Sequence, residues 1–311
     1  MIEYKIIILF YNSMWGRPLE YPKQEIPEPF VITEDRSLYD KASAVVFHVP
    51  SLGFDFVVGR GPIKREGQIW VAWSMEAAAH HPILSMEPVM RRFDLTMNYR
   101  QDSDIWCPYI LPSHHEELRN APIEKTSGCL ANGFISSRYD TNGRTEYLRE
   151  MMKHIDVHSY GKLFRNSPQP KGAGREFKLG TMARYKFSVA FENASETDYV
   201  TEKFYDPLIS GSVPVYLGAP NIEEFAPGEK CFINVSDFDG PESLSLFLIG
   251  LSRDEAHYSE YFEWKNRLFL PRFEEFLQAV HEPMIVRLCR KVGDTLQARD
   301  EGAVSTRSSG P

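Results

Sequence analysis

Short apolar, β-branched runs recur along this chain, separated by helix-length polar segments, and that recurrence constrains the fold more than any other feature. The first run lies at 4–11 and holds Ile6-Ile7-Ile8-Leu9-Phe10. Next come Ala44-Val45-Val46-Phe47-His48-Val49, Ile69-Trp70-Val71-Ala72-Trp73 and Asp94-Leu95-Thr96-Met97-Asn98, with a helix-length stretch at 83–92. Runs of this length bounded by Pro, Gly and charge are typical of strands buried on both faces, and such strands belong to parallel sheets covered by helices. A second alternating set begins beyond residue 124, with strands expected at 130–136, 185–191, 213–217 and 231–235 and helices at 144–154 and near 198–210. After 241 the pattern turns helical, with Leu244, Phe247 and Leu251 at spacings of three and four, followed by a polar helix at about 253–270. The pattern predicts a doubly wound α/β architecture.

A length of 311 residues suits two domains. The polar segment 111–122, with Pro112 and Pro122, is the expected linker. It divides the chain into a first domain at 1–123 and a second at 124–285, with a C-terminal helix crossing back. Residues 293–311 are polar and small, end in Ser-Ser-Gly-Pro, and are expected to be disordered. Two such domains would place a cleft between the carboxyl ends of their sheets, which suits an enzyme that joins two substrates. Thirty-five Lys+Arg against 43 Asp+Glu leave a net charge of −8, which argues against a nucleic-acid binder held by phosphate neutralisation. No run approaches the roughly 18 apolar residues of a membrane span, and no signal-peptide pattern opens the chain. Cys107, Cys129, Cys231 and Cys289 stand far apart without a CxxC and read as reduced core residues.

The densest chemistry lies in Tyr185-Lys186-Phe187-Ser188-Val189-Ala190-Phe191-Glu192-Asn193, followed by Asp198-Tyr199-Val200-Thr201-Glu202-Lys203-Phe204. This reads as a strand delivering Glu192 and Asn193 to its carboxyl end, a polar loop, and a helix whose N-cap is Thr197 or Asp198. The first turn of such a helix offers unpaired N–H groups and the positive end of a dipole, ready for a phosphate. Lys203 then adds charge to a diphosphate while Glu202 accepts two hydroxyls of a ribose. Spacing alone does not separate this reading from a capped helix with a solvated Glu-Lys pair.

The longer run YKFSVAFENASETDYVTEKFYDPLISGSVPVYLGAPNIEEFAP, at 185–227, resembles the donor-binding motif of the inverting, GDP-fucose-dependent α1,3/α1,4-fucosyltransferases. Trp73-Ser74-Met75-Glu76 and FDLTMNYRQDSDIWCPY at 93–109 resemble acceptor-domain motifs of the same family, and 258–267 its last helices, so the likeness covers most of 44–270. The resemblance implies a GT-B fold, two Rossmann-like doubly wound domains facing a cleft, with acceptor bound by the first and GDP-fucose by the second. It places Glu76 at the family's general base and Arg144 at a phosphate-binding arginine. Tyr199, Glu202 and Lys203 fall on its donor contacts, with Asn193 beside them. The implied reaction is α1,3-fucosyl transfer to a GlcNAc unit, either a lactosamine end or the inner GlcNAc of an N-glycan; APNIEEFAP also resembles plant-type core members. Glu76 takes the acceptor proton in a single displacement, and the charge on departing GDP is met by Arg144, Lys203 and the helix N-terminus. No cofactor or metal is then required, with Mn²⁺ or Mg²⁺ stimulating at most.

Other patterns point elsewhere. Asp102-Ser103-Asp104 and Asp237-Phe238-Asp239 are D-x-D triplets, which in another glycosyltransferase fold hold a metal on a sugar nucleotide; such short motifs recur by chance. His80-His81 and His114-His115 lack zinc spacing, although His80 and His81 follow Glu76 closely enough to touch acceptor. Gly59-Arg60-Gly61-Pro62 breaks the GxGxxG pattern. The sequon Asn193-Ala194-Ser195 lies inside the implied donor site, where a glycan would obstruct binding, and Cys289 has no close partner. Both favour a cytosolic, bacterial-type enzyme, the alternative being a Golgi lumenal domain whose anchor was removed. Two further alternatives stay open: a metal-dependent transferase of another sugar nucleotide, and a non-catalytic glycan-binding relative.

Overall fold

In the computed structural model, which describes residues 5–308, every strand pairs in parallel with its neighbours. The chain divides into one unit formed by residues up to Cys107 together with those from Glu282 on, and a second formed by Pro108–His281.

The first unit holds a six-stranded sheet of β1 (Ile6–Phe10), β2 (Phe30–Thr33), β3 (Ala44–His48), β4 (Ile69–Ser74), β5 (Leu95–Asn98) and β6 (Ile105–Trp106), in the order β2-β1-β3-β4-β5-β6. Side chains alternate along the strands, so β1, β3 and β4 each feed two cores. Ile8, Phe10, Val46, Val71, Trp73 and Met97 share one core with Ile285, Leu288, Cys289 and Val292 of the C-terminal helix Met284–Ser308. Leu9, Val45, Phe47 and Trp70 share the other with Phe56 and Val89. Cover on both faces is what makes an all-parallel sheet stable.

The second unit repeats this winding in five strands: β7 (Ala131–Gly133), β8 (Val157–Ser159), β9 (Phe187–Phe191), β10 (Val213–Leu217) and β11 (Ile233–Asn234), in the order β11-β10-β9-β7-β8. In both sheets the second strand of the unit lies outside the first and the later strands continue on the other side. The order therefore reverses between β1 and β3, and again between β7 and β9. Parallel sheets open a ligand crevice at the carboxyl ends of the two strands flanking such a reversal.

Several expectations are corrected. The division falls at 107/108 rather than 123/124, because 111–122 is tied into the second unit: Leu118 is buried, Lys265 Nζ donates to its carbonyl at 2.8 Å, and the Arg119 guanidinium lies 3.5 Å from the Phe269 ring centroid. Residues 293–308 are helical rather than disordered, since the apolar stripe of the C-terminal helix continues to Leu296 on the first unit's core; 309–311 lie outside the described residues. The polar helix expected at 253–270 is broken into Glu255–Glu260 and a 3-10 turn at Glu263–Asn266, and 83–92 forms short turns rather than one helix. In the helix Pro241–Arg253 the buried stripe is Leu244, Leu248 and Leu251, with Phe247 40% exposed. Among the described residues, no helix is long and apolar enough to cross a membrane.

Candidate active site

The crevice between β7 and β9 is built around Glu192, the first residue after β9. All five residues of that strand are buried, so the chain leaves the sheet with Glu192 still fully enclosed, at 0% exposure. Gly218, after β10, makes room for it: a Cβ there would stand 2.7 Å from Glu192 Cγ and 2.4 Å from the Tyr216 hydroxyl. Both carboxylate oxygens are used. Oε1 accepts the Thr201 N–H at 2.7 Å, Oε2 accepts the Thr201 hydroxyl at 2.9 Å, and Lys203 Nζ lies 3.2 Å from Oε2.

Thr201 is the N-cap of the helix Glu202–Ser210, its hydroxyl accepting the Lys203 N–H at 3.3 Å. The cap therefore falls beyond Thr197 and Asp198, both of which the sequence favoured. Asp198 has φ +67, a left-handed conformation that Asp tolerates better than most residues, and the turn is held by Asn221. Asp198 N–H donates to Asn221 Oδ1 at 3.0 Å, and Asn221 Nδ2 donates back to Asp198 Oδ1 at 2.9 Å. That turn buries Tyr199, whose ring meets Tyr109 edge-on with centroids 6.1 Å apart.

Arg144 opens the helix Arg144–Met151, as expected, and is 1% exposed. One terminal nitrogen donates to Phe191 O at 2.9 Å and the other to Ser137 O at 3.0 Å, while Nε has no hydrogen-bond partner among the described residues. Asn193 stands at the same strand end, its carbonyl accepting Thr141 N–H at 2.9 Å. Arg144, Asn193, Tyr199, Glu202 and Lys203 thus gather at one strand reversal.

Charge in this cluster is balanced by burial and proximity. Burial lowers the Arg144 pKa, against Glu192 and Asp140, but a guanidinium keeps its charge. Burial also opposes the Lys203 ammonium, yet the Glu192 and Glu202 carboxylates outweigh it and hold that pKa above its usual value. Glu202 has a side chain 45% exposed. Burial works to raise its carboxyl, but Lys203 and Lys178 hold it below the usual range. The result is a fixed cluster of two cations, Arg144 and the one-fifth-exposed Lys203, with the buried Glu192 carboxylate against Lys203 and the half-exposed Glu202 carboxylate at its edge.

Sequence reasoning placed Glu192 at the strand end without seeing that it orders the cap and the lysine together. The signal was a carboxylate directly following a wholly apolar strand, a position too costly to bury without partners.

Glu76 belongs to the first unit, two residues past β4. It is half-buried, with its N–H held by Ser74 Oγ at 3.0 Å and its carbonyl accepting the Ser74 hydroxyl at 3.2 Å. Among the described residues its carboxylate has no hydrogen-bond partner, but it lies in the electrostatic range of His81, whose pKa burial lowers against the pull of Glu76. The half-exposed Trp15 indole packs 5.4 Å from the His81 ring and 5.2 Å from that of His48. His48 is fully buried and stays neutral, its pKa lowered to about 4 by burial and by His81.

The remaining motifs have other occupations. Asp102 pairs with Arg100 at 2.9 Å, and Asp104 accepts Thr96 N–H at 2.9 Å and lies 3.3 Å from Lys291. Among the described residues, no group of three His, Cys, Asp or Glu is arranged to hold a metal. The four cysteines are free and buried.

Comparison with known proteins agrees with this architecture. Residues 3–110 match the model described as "Fucosyltransferase, N-terminal", and 125–304 match "Glycosyltransferase family 10 (fucosyltransferase) C-term". The chain is 33% identical over 273 residues to the Homo sapiens 4-galactosyl-N-acetylglucosaminide 3-alpha-L-fucosyltransferase FUT6, covering 84% of this chain and 73% of that protein. It is 32% identical over 250 residues to the Mus musculus 4-galactosyl-N-acetylglucosaminide 3-alpha-L-fucosyltransferase 9, covering 78% and 67%. Among solved structures, an α1,3-fucosyltransferase superposes with a TM-score of 0.64 at 15% identity over 93% of this chain and 90% of its own. An α1,3-fucosyltransferase with GDP-fucose does so at 0.57 and 16%, over 89% and 91%. With both halves matched and the winding repeated in each unit, the chain belongs to glycosyltransferase family 10, the fucosyltransferases, and has the GT-B fold.

Proposed function

We propose that this glycosyltransferase moves L-fucose from GDP-fucose to the 3-hydroxyl of a GlcNAc unit, by a single inverting displacement with Glu76 as general base. The observation that carries the donor half is the Glu192-centred cluster, in which Arg144, Lys203 and the capped helix N-terminus supply fixed positive field at one strand end. Field of that kind stabilises charge developing on a departing diphosphate, and it needs no reorganisation during the reaction. Glu202, ionised and half-exposed, accepts the ribose hydroxyls, while Tyr199 and Asn193 shape the wall.

In the reaction the acceptor O–H proton passes to the Glu76 carboxylate as the oxygen bonds to the fucose anomeric carbon. The bond from that carbon to the β-phosphate oxygen breaks, and the electron pair leaves with GDP. A β-linked donor thus yields an α-linked product. The absence of a side-chain partner on Glu76 among the described residues suits a base that must meet an incoming hydroxyl. The human and mouse relatives are named for a 4-galactosyl-N-acetylglucosaminide acceptor, which supports a lactosamine end over an N-glycan core. With the leaving charge met by protein cations, the reaction requires no metal. A cytosolic setting is part of the reading, supported by the four buried free cysteines and by a sequon Asn193 seated in the donor cluster.

The test is GDP release from GDP-fucose with and without N-acetyllactosamine, in EDTA, for wild type and Glu76→Ala. Acceptor-dependent release that survives EDTA and falls about 100- to 10,000-fold in the variant, with GDP-fucose binding retained, is the expected result. Donor binding without release would leave the donor site standing and overturn the acceptor or the base. No donor binding at all would overturn the whole reading.

A further inference from the structure

The turn that leads into the helix Glu202–Ser210 is held from a distant part of the chain. Asp198 takes a left-handed backbone at φ +67, which costs energy for a residue with a Cβ and persists only where its surroundings fix it. Within the turn, Tyr199 N–H donates to Glu196 O at 3.1 Å and Val200 N–H to Asp198 O at 2.9 Å. From outside, one carboxamide grips it on both sides. Asn221 Oδ1 accepts the Asp198 N–H at 3.0 Å, while Nδ2 donates to Asp198 Oδ1 at 2.9 Å and to Glu224 Oε2 at 3.1 Å.

Asn221 is itself firmly placed. It follows Gly218-Ala219-Pro220 after β10, where the Tyr216 hydroxyl accepts the Ala219 N–H at 2.9 Å and Gly218 leaves room for Glu192. It then opens a 3-10 turn at Ile222–Phe225, in which Ile222 and Phe225 are buried. The segment after β10 thus reaches back to the loop after β9, and Asn221 joins the two. Beyond the Asp198 turn stand Tyr199, whose phenol lies within electrostatic range of Arg144, and Thr201, which caps the helix and bonds Glu192.

The place demands a side chain that accepts one N–H and donates to two carboxylates at once, and an amide of this length does both. A carboxylate there would keep the acceptor and lose both donors. We propose that Asn221 is a positioning residue for donor binding: through the Asp198 turn it sets the Tyr199 ring and the Thr201 cap, without touching the donor itself. Taking GDP-fucose as that donor rests on the function proposed above.

Asn221→Asp keeps the shape but sets a carboxylate against those of Asp198 and Glu224, the latter also paired with Arg272. The KM for GDP-fucose and its dissociation constant by calorimetry each rise about tenfold, while kcat and the KM for N-acetyllactosamine stay within about twofold. Asp198→Asn/Asn221→Asp reverses donor and acceptor across the pair, and brings both GDP-fucose constants back to within about threefold of wild type. Unchanged GDP-fucose constants in Asn221→Asp overturn the positioning role and leave the proposed function intact. A double variant no better than the single one, or a loss spread equally over kcat and both KM values, also overturns it. Should Asn221→Asp not fold, Asp198→Gly decides: it accepts the left-handed backbone, loses only the side-chain half of the pair, and raises the GDP-fucose constants about threefold. Constants unchanged in that variant overturn the role. Where the wild type binds GDP-fucose but does not turn over with this acceptor, the dissociation constants alone decide on the same thresholds. A wild type that binds no GDP-fucose overturns the donor reading and this role with it.

Discussion

The two units wind their sheets in the same order, yet treat the crevice at the strand reversal in opposite ways. In the second unit the crevice is occupied by the protein itself: Arg144 and Glu192 are buried, and Glu192 orders both Thr201 and Lys203. In the first unit the corresponding place is a cavity, and the nearby Glu76 is held through its main chain. On the proposed function, the difference follows from what each side would recognise. A diphosphate carries fixed charge and gains most from a rigid, desolvated field. A glycan presents hydroxyls and apolar faces in varied arrangements, which half-buried side chains on loops meet with less commitment.

If the second unit is organised by its buried pair, Glu192→Ala has the largest effect in the molecule outside Glu76 itself. It leaves Lys203 without its buried counter-ion and Thr201 without its acceptor. The cost is about 3 kcal/mol of stability, the lower end for breaking a buried pair, because Lys203 is about one-fifth exposed. The kcat/KM for GDP-fucose should fall at least about 100-fold, as oxyanion-type fields do when one element is lost. Thermal melting and steady-state kinetics check this, and a variant with both values unchanged would show that the field is not built on Glu192.

That contrast was only partly legible in the sequence. β3, β4, β9 and β10 are runs buried on both faces, so composition announced them; β10 is found where 213–217 was expected, and β9 within 185–191. The helix cap was misplaced because the turn at Asp198 depends on Asn221, 23 positions away, which no local pattern reveals. The polar, small composition of 293–311 read as a disordered tail, whereas Gly293 lies in a helix where a Cβ would meet the Phe30 ring at 3.1 Å. The first domain boundary failed for a similar reason: Pro and charge marked 111–122 as a linker, and the contact that binds it, Lys265 to Leu118 O, spans 147 positions. Glu192, Asn193, Glu202 and Lys203 were legible in the strand-loop-helix pattern, Glu76, Arg144 and Tyr199 were named through family likeness, and the cavity at β1 was invisible because it is made by strand order.

A smaller effect probes the half-exposed edge of the donor cluster. Lys178 lies 2.7 Å from the buried Asp206 and helps to hold the Glu202 carboxyl below its usual value, against burial. A depressed carboxyl remains ionised as pH falls, until its lowered value is reached. Without Lys178 it protonates sooner, so Lys178→Met should lose donor affinity from a higher pH downward while matching wild type above the carboxylate range. Toward pH 4 the KM for GDP-fucose should rise by no more than about fivefold over wild type, the scale of a partly exposed ion pair, with Lys178→Arg restoring it. A pH-independent change would assign Lys178 to structure through Asp206 alone.

The smallest effect belongs to the first unit and closes the comparison. Ser74 Oγ holds both the N–H and the carbonyl of Glu76, so Ser74→Ala loosens the proposed base without touching its carboxylate. A net hydrogen bond of this kind contributes about 1 kcal/mol, which corresponds to a fall in kcat of no more than about fivefold, with the KM for GDP-fucose unchanged. The acceptor side then tolerates the loss of a local support, while the donor side, losing Glu192, does not. A fall in kcat near 100-fold would mean that Glu76 depends on fixed placement as strongly as Lys203 does. The contrast between a rigid donor side and a permissive acceptor side would then fail.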